Sequence, residues 1–373
     1  MASGIRNKKN EGNNMWKKII MGILVILSAV AGFAVAKVES TMQHTLNQVK
    51  RDKNSALDKV DLSGIKIESD DDIVNILLIG NDYRKEKLYT ASGLTDVMMI
   101  GTMDKKHNTL KLTTLMRDTL VDVTEKDELR KLNSAYDFGG VKNLYKTIAK
   151  NFNIKLDGYV MVGFDAFEKI VNAVGGVEIE LTDTEARYLN MTNYIRKHKN
   201  RRVKVGKQIL NGDQALAYCR IRKGKDKIGE PVRTVNGMVD DYGRTWRQRT
   251  VVSAVFDEMK SLPKQDWITI ANKVLSSVET DLENSSILSY ITDVIMMGTT
   301  EVHQLQIPRN GYFREAKQEE FPTSEGDPLV PTNGVSTEFD TSENAKILHK
   351  FVFKYDGKKE FTYETAQEQT ASE

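Results

Sequence analysis

Two stretches concentrate the side chains that could do chemistry. In LNGDQALAYCRIR at 210–222 the last residues alternate as a strand would, sending Tyr218, Arg220 and Arg222 to one face and Cys219 and Ile221 to the other. In DYGRTWRQ at 241–248, Arg244, Arg247 and Gln248 stand at i, i+3 and i+4 on one helical face. Four arginines gathered in one place repel each other unless an anion lies between them. A diphosphate supplies that anion, with each charge-assisted hydrogen bond worth roughly 1.5 to 3 kcal/mol. The bland alternative is a solvated strand edge and helix face with surface ion pairs. Cys219, on the opposite face, reads as core.

A second set stands at the ends of three expected strands. Asp82 follows IVNILLI (73–79), Asp96 precedes VMMIGTM (97–103), and Arg117-Asp118 follows LKLTTLM (110–116). If these strands run up, down and up, all these positions fall on one sheet edge. Two carboxylates and a guanidinium can hold a hard cation such as magnesium beside a phosphate, because magnesium takes oxygen ligands and guanidinium matches phosphate bidentately. Aspartates at strand ends are also ordinary turn formers.

The elements that must position these residues alternate along the chain. Val141, Leu144, Tyr145, Ile148, Ala149 and Phe152 recur at helical spacing. YVMVGF at 159–164 is strand-like, Phe167, Ile170, Val171 and Val174 are helical again, and the strand at 177–181 follows Gly175-Gly176. Helical patterns at 244–259, 267–278 and 287–297, a strand at 302–307 and a closing helix near 343–351 complete the set. This order predicts an α/β fold, an α-β-α sandwich around a mixed central sheet. The stretches at 196–207 and 223–239 read as surface loops.

The 54 Lys+Arg against 52 Asp+Glu leave no global charge signature, so any anion preference is local. One cysteine excludes an internal disulfide framework, and the five histidines lack zinc-ligand spacing. No nucleic-acid motif is present. Residues 19–36, IIMGILVILSAVAGFAVA, are uncharged and as a helix would span about 27 Å, close to a hydrocarbon core. Arg6, Lys8, Lys9, Lys17 and Lys18 precede this segment, which predicts a single pass with a cytoplasmic N-terminus. A cleaved signal peptide is the rival, since Ala34-Val35-Ala36 fits its cleavage pattern. The expected division is a cytoplasmic tail at 1–18, a transmembrane helix at 19–36, an extracytoplasmic spacer at 37–72, a catalytic domain at 73–356 and a disordered tail at 357–373.

Over about 73–255 the chain resembles the LytR-CpsA-Psr family of Gram-positive cell-envelope proteins. The resemblance is carried in order by NILLIGND, TDVMMI, LMRDTLVDV, KLNSAYDFGG, the strand-helix-strand at 157–177, LNGDQALAYCRIR and DYGRTWRQR. It implies an N-terminal membrane helix, an extracytoplasmic α-β-α domain, and transfer of a glycopolymer, teichoic acid or capsule, from an undecaprenyl diphosphate carrier onto peptidoglycan in cell-wall assembly. By position it implies that Asp82 and Asp96 hold magnesium. Arg117, Arg220, Arg222, Arg244, Arg247 and Gln248 would bind or orient the diphosphate, with Asp96 and Asp241 as candidate bases. The family usually carries an arginine shortly before the second aspartate, whereas this chain reads Gly93-Leu94-Thr95-Asp96, so that contact is absent or replaced. The loop at 223–239 is long for the family, and its Lys223, Lys225, Lys227 and Arg233 either touch an anionic polymer or lipid headgroups or are simply solvated. Two other functions use the same residues: a diphosphate hydrolase on polyprenyl substrates, and a non-catalytic envelope regulator that binds polyprenyl phosphate.

Overall fold

In the computed structural model, which describes residues 46–47, 49–51, 56–81, 95–299, 301–324, 326–334 and 338–361, the alternating run IVNILLIGN forms the strand around which the rest is laid. The chain divides after residue 48 into two compact units, and the elements that follow belong to the unit from Val49 onward. After a short strand β1 (Lys50–Arg51), β2 (Ile73–Asn81) buries Ile73, Leu77 and Ile79 on one face and leaves Val74, Ile76, Leu78 and Gly80 half-buried on the other. Next come β3 (Thr95–Asp104) and β4 (Thr109–Leu115), each antiparallel to its predecessor, so the three strands run up, down and up as expected. The register slips at Gly80/Asn81, where a Cβ on Gly80 would lie 2.8 Å from Val97 Cβ. A side chain there would force the two strand ends apart.

The hairpin of β5 (Leu120–Val123) and β6 (Glu128–Lys131) leads into α1 (Ser134–Phe152), which bends where Gly139 and Gly140 leave helical dihedrals. Strand β7 (Gly158–Gly163) returns parallel to β2, followed by α2 (Phe164–Ala173), β8 (Val177–Leu181), α3 (Asp183–Met191) and β9 (Gly206–Leu210). Within the described residues β8 and β9 pair only with each other, outside the main sheet. Helices α4 (Gly212–Arg220), α5 (Asp240–Ser261), α6 (Lys264–Leu275) and α7 (Asn284–Met297) follow, with β10 (Glu279–Thr280) between the last two. The chain closes with β11 (Val302–Ile307), the hairpin of β12 (Phe313–Glu315) and β13 (Leu329–Pro331), and α8 (Ser342–His349). The seven-stranded sheet has the order β1-β10-β7-β2-β3-β4-β11 and mixes parallel with antiparallel pairs.

On the Leu77 and Ile79 side, α1, α8 and the helical turn after α8 bury Leu144, Ile148, Phe152, Leu348 and Phe351 in the main core. Helices α2, α4 and α5 gather a second core with the β8–β9 hairpin, through Val171, Val177, Leu210, Ala217 and Val251. They cover the other face of the sheet less tightly, which accounts for the half-buried side of β2. The result is the expected α-β-α layering.

Four sequence expectations change. The end of LNGDQALAYCRIR is helical through Arg220, because a capping box between Asn211 and Gln214 starts α4, a signal that outweighs the apparent alternation. The folded unit reaches back before Ile73: β1 pairs with β10, and Leu57 is 2% exposed in the main core. A two-residue strand and a lone leucine carry no periodicity to read. At the other end Phe361 packs on Phe351 and Tyr355, so the folded chain continues past residue 357. The loop at 196–207 already enters β9 at Gly206, whereas 223–239 is irregular apart from one bridge between Lys225 and Pro231. The apolar segment at 19–36 lies outside the described residues, among which no helix is long and apolar enough to cross a membrane.

Gly212 tests the packing of α4 on α2. A Cβ there would stand 2.4 Å from the carbonyl oxygen of Glu168, a backbone atom that cannot swing aside. Gly212→Ala is expected to cost about 1–3 kcal/mol through this overpacking. Thermal unfolding followed by circular dichroism reads it, and an unchanged midpoint would contradict the close approach.

Candidate active site

The loosely covered face of the sheet opens into a cavity of about 450 Å³. Leu78, Val97 and Met99 form its floor, Phe164, Phe167 and Ile170 from α2 one wall, and Val252 and Val255 from α5 the other. Its charged end is built where β2 finishes and β3 begins. Asp96, Arg222, Arg244 and Gln248 line it there. Apolar walls closing on a few convergent polar groups are the usual form of a ligand site.

The charges at this end are held as a partly buried cluster. Arg117, just beyond β4, is paired with Asp96 and lies 3.6 Å from Asp118 and 3.9 Å from Asp241. Asp241, in the first turn of α5, lies 2.9 Å from Arg222 Nε and 2.6 Å from Arg244 Nη2. Asp118 lies 2.9 Å from Lys131 Nζ and 3.4 Å from Arg222 Nη2. Several of these approaches are close without being directed hydrogen bonds. Arg117 Nε, Arg222 Nε, and Nε and Nη2 of Arg244 are buried, and none has a hydrogen-bond acceptor in good geometry among the described residues. Both Asp241 carboxylate oxygens and Gln248 Oε1 are likewise buried, and none accepts a directed hydrogen bond among the described residues.

Electrostatics agree with this picture of crowded cations. Burial pushes the Arg244 guanidinium below its ordinary range; Asp241 opposes that shift, while Arg117 and Arg222 add to it. For Arg117, burial works the same way, but Asp118, Asp241 and Asp96 outweigh it and raise its pKa. Burial works against the Asp118 carboxylate, yet Arg117, Lys131 and Arg222 hold it below the usual range. A buried donor without an acceptor costs roughly 1–3 kcal/mol, more when charged, so this cluster is suited to an incoming anion.

Not all the expected residues meet. Arg117, Arg222, Arg244, Gln248, Asp96 and Asp241 gather at this end. Arg220, in the last turn of α4, stacks over the rings of Phe164 at 5.1 Å and Tyr194 at 5.4 Å and lines the cavity from the apolar wall. Arg247 does not join them. It is fully buried on the far side of α5, with Nε 2.7 Å from Glu185 and its terminal nitrogens near the carbonyls of Ile221 and Val232. The i, i+3, i+4 pattern placed Arg247 on the helix correctly but not the direction of its long side chain, so the expected convergence of four arginines is corrected to two, Arg222 and Arg244, joined by Arg117. Asp82 and the departure at 93–94 lie outside the described residues.

Sequence reasoning passed over Glu185 and Lys131 and took Asp118 only as a neighbour of Arg117. Glu185 carried a signal, since it completes a capping box with Thr182 at the start of α3. Lys131 had none, because β6 reaches the site only through the β5–β6 hairpin.

The donors available to magnesium are few. The described residues contain no group of three or more His, Cys, Asp or Glu that could form a metal cage. Asp96 nevertheless lines the cavity with a 44% exposed side chain, and only its Oδ1 is engaged by Arg117. One open carboxylate oxygen beside anion-seeking arginines fits an ion shared with substrate phosphates, which is how magnesium is usually held.

Comparisons with known proteins place the chain's family and fold. A family model described as the LytR_cpsA_psr family matches residues 32–324. The polyisoprenyl-teichoic acid–peptidoglycan teichoic acid transferase TagU of Bacillus anthracis is 31% identical over 278 residues, covering 73% of this chain and 80% of the relative. Among solved structures, protein gbs0355 from Streptococcus agalactiae superposes with a TM-score of 0.58 at 23% identity, over 77% of this chain and 89% of that one. Bacillus subtilis TagV gives 0.56 at 24% identity, over 76% and 98%. At these identities the structures speak for the fold.

Two buried arginines on one helix are therefore expected to behave oppositely. Arg247→Met strands Glu185 in the core and should cost about 3–5 kcal/mol in denaturant unfolding. Arg244→Met relieves crowded cations and should leave stability unchanged or higher. Equal losses would contradict the division of roles. In acid, the depressed Asp118 pKa means that its contribution is present above its unfolded value near 3.9 and is lost as pH falls through the lower folded value. Asp118→Asn should therefore flatten the decline in stability below about pH 4, as measured by unfolding midpoints across a pH series.

Proposed function

The chain belongs to the LytR-CpsA-Psr family, and from that premise we propose that it is a phosphotransferase, moving an anionic glycopolymer such as teichoic acid from a polyprenyl diphosphate carrier onto peptidoglycan. The observation that carries this reading is the set of buried guanidinium N–H groups of Arg117, Arg222 and Arg244, which lack directed acceptors at the mouth of an apolar cavity. A polyprenyl diphosphate has the matching form, a charged head on an apolar chain. We assign residues 19–36 as the membrane anchor, which would place the catalytic unit outside the cell beside both substrates.

The chemistry asked of the protein is mainly positioning and charge stabilisation. Arg222 and Arg244 grip the diphosphate oxygens, and Asp241 spaces the two guanidinium groups before substrate arrives. Arg117, steered by Asp96 and Asp118, faces the sugar-side phosphate. The polyprenyl chain fills the cavity between α2 and α5 and excludes water from the head. An acceptor hydroxyl attacks the sugar-side phosphorus, the bridging P–O bond breaks, and lipid monophosphate leaves. Asp96, with Asp82, would hold magnesium on the diphosphate, where the ion would neutralise phosphate charge. Arg220, stacked on Phe164 and Tyr194, closes the junction between the head and the apolar wall.

The test uses the full chain in detergent, a defined lipid diphosphate oligosaccharide and purified peptidoglycan. Polymer should become covalently attached to peptidoglycan. Release of free sugar phosphate at one rate with or without acceptor would support the hydrolase instead, and binding without turnover the regulator. Arg222→Lys and Arg244→Lys keep charge but lose the planar fork, so transfer should fall about ten- to hundredfold with folding retained. Asp96→Asn should weaken the magnesium dependence. The exposed Arg202, changed to Gln, should have little effect at moderate salt.

A further inference from the structure

A second, polar cleft of about 540 Å³ meets the first site at its charged end. Arg222 lines both cavities, and Arg117 of the cleft is paired with Asp96 of the apolar cavity. The cleft's far walls are Arg130 and Lys131 from β6, Asn133, Ser134 and Asp137 at the start of α1, and Ser324. These walls are preformed. Arg130 Nη1 donates to the Thr323 carbonyl at 2.9 Å and Thr323 Oγ1 to the Leu129 carbonyl at 2.7 Å, latching the turn around Ser324 onto the hairpin. Ser324 is 1% exposed, and its Oγ has no hydrogen-bond partner among the described residues. Phe138 is the only apolar side chain among the described lining residues, so the cleft suits a hydroxyl-rich ligand carrying some charge and does not suit a lipid.

Displacement at phosphorus places the attacking and leaving oxygens roughly in line. If the lipid phosphate departs towards the apolar cavity, the attacking hydroxyl comes from the opposite side of Arg117 and Arg222. That side is the polar cleft. Asp118 stands at the junction, lining the cleft and held by Lys131, Arg222 and Arg117. Of the carboxylates lining the cleft, it is the one paired with the arginines at the charged end of the first site.

We propose that the polar cleft binds the acceptor saccharide and that Asp118 takes the proton of its attacking hydroxyl, an inference that rests on the transferase reading above. The acceptor oxygen bonds to the sugar-side phosphorus, the bridging P–O bond breaks, lipid monophosphate leaves, and the proton on Asp118 passes to water. Arg130, Lys131, Asp137 and Ser324 position the acceptor ring.

The experiment measures transfer by the full chain from the lipid diphosphate oligosaccharide to a soluble N-acetylglucosaminyl-N-acetylmuramyl peptide, varying each substrate in turn. Asp137→Tyr, which fills the cleft from its rim, should raise the half-saturating acceptor concentration at least about tenfold and leave that of the donor unchanged. Asp118→Asn should lower turnover at saturation about hundredfold, in the range of general base removal, and abolish the acid limb of the turnover profile, which a merely structural carboxylate would not govern. If Asp118→Asn does not fold, Asp118→Glu replaces it, and an altered acid limb at reduced turnover is the expected result. A rise in donor half-saturation with Asp137→Tyr would mean that the cleft holds the donor's polymer and would overturn the assignment, as would wild-type turnover in the Asp118 variants. If the wild-type chain transfers nothing, the transferase reading fails first, and direct titration with the same peptide then decides the cleft. Binding abolished by Asp137→Tyr upholds it, and equal binding overturns it.

Discussion

Like charges buried together are the constraint on which the rest of this structure depends. Arg117, Arg222 and Arg244 converge within a few ångströms of Asp241, and for Arg244 burial, with Arg117 and Arg222 adding to it, outweighs the pull of the carboxylates. Bringing several guanidinium groups out of water is unfavourable unless carboxylates and hydrogen bonds answer them. Asp96, Asp118 and Asp241 answer in part, at distances that hold the cations together but with geometry that leaves their N–H groups unsatisfied. Local instability of this kind is tolerable only where the surroundings are over-determined.

Those surroundings are the strand ends and the main core. Strands β2, β3 and β4 run up, down and up, so the end of β2, the start of β3 and the residue pair after β4 share one edge. Dense packing of α1 and α8 on one face of the sheet fixes these strands. The opposite face is covered by helices that belong to a second core, and the incomplete fit leaves an apolar cavity leading to the charged edge. One sheet thus separates a face that confers stability from a face that can accept a ligand. The side chains alternating along β2 express the division residue by residue.

Helix α5 carries both roles on a single element. Arg244 and Gln248 turn to the cavity, while Arg247 runs back into the second core, pairs with Glu185 and reaches the carbonyls of Ile221 and Val232. That anchor ties α3 and the loop after α4 to the helix that bears the site. Arg222, in the extended chain just past α4, is therefore positioned by an arginine that never reaches the cavity.

Local chemistry made much of this protein legible from its residues alone. Short apolar runs marked β2, β3, β4, β7 and β11 and the 3.6-residue period most helices, because buried elements demand those patterns. Clustered arginines and strand-end acids pointed to one charged place, and Asp96, Arg117, Arg222 and Arg244 do meet at one end of the cavity. What the tertiary structure decided lies where local signals conflict or are silent. Asn211 and Gln214 cap a helix that the later alternation denied, Arg247 turns inward because Glu185 is buried there, and Leu57 belongs to the core only because the chain returns to it. Asp118 and Lys131 meet through a hairpin whose two short strands are four residues each, too brief for periodicity to show. A side chain's spacing is written in the chain, but its partner is chosen by which distant elements pack beside it.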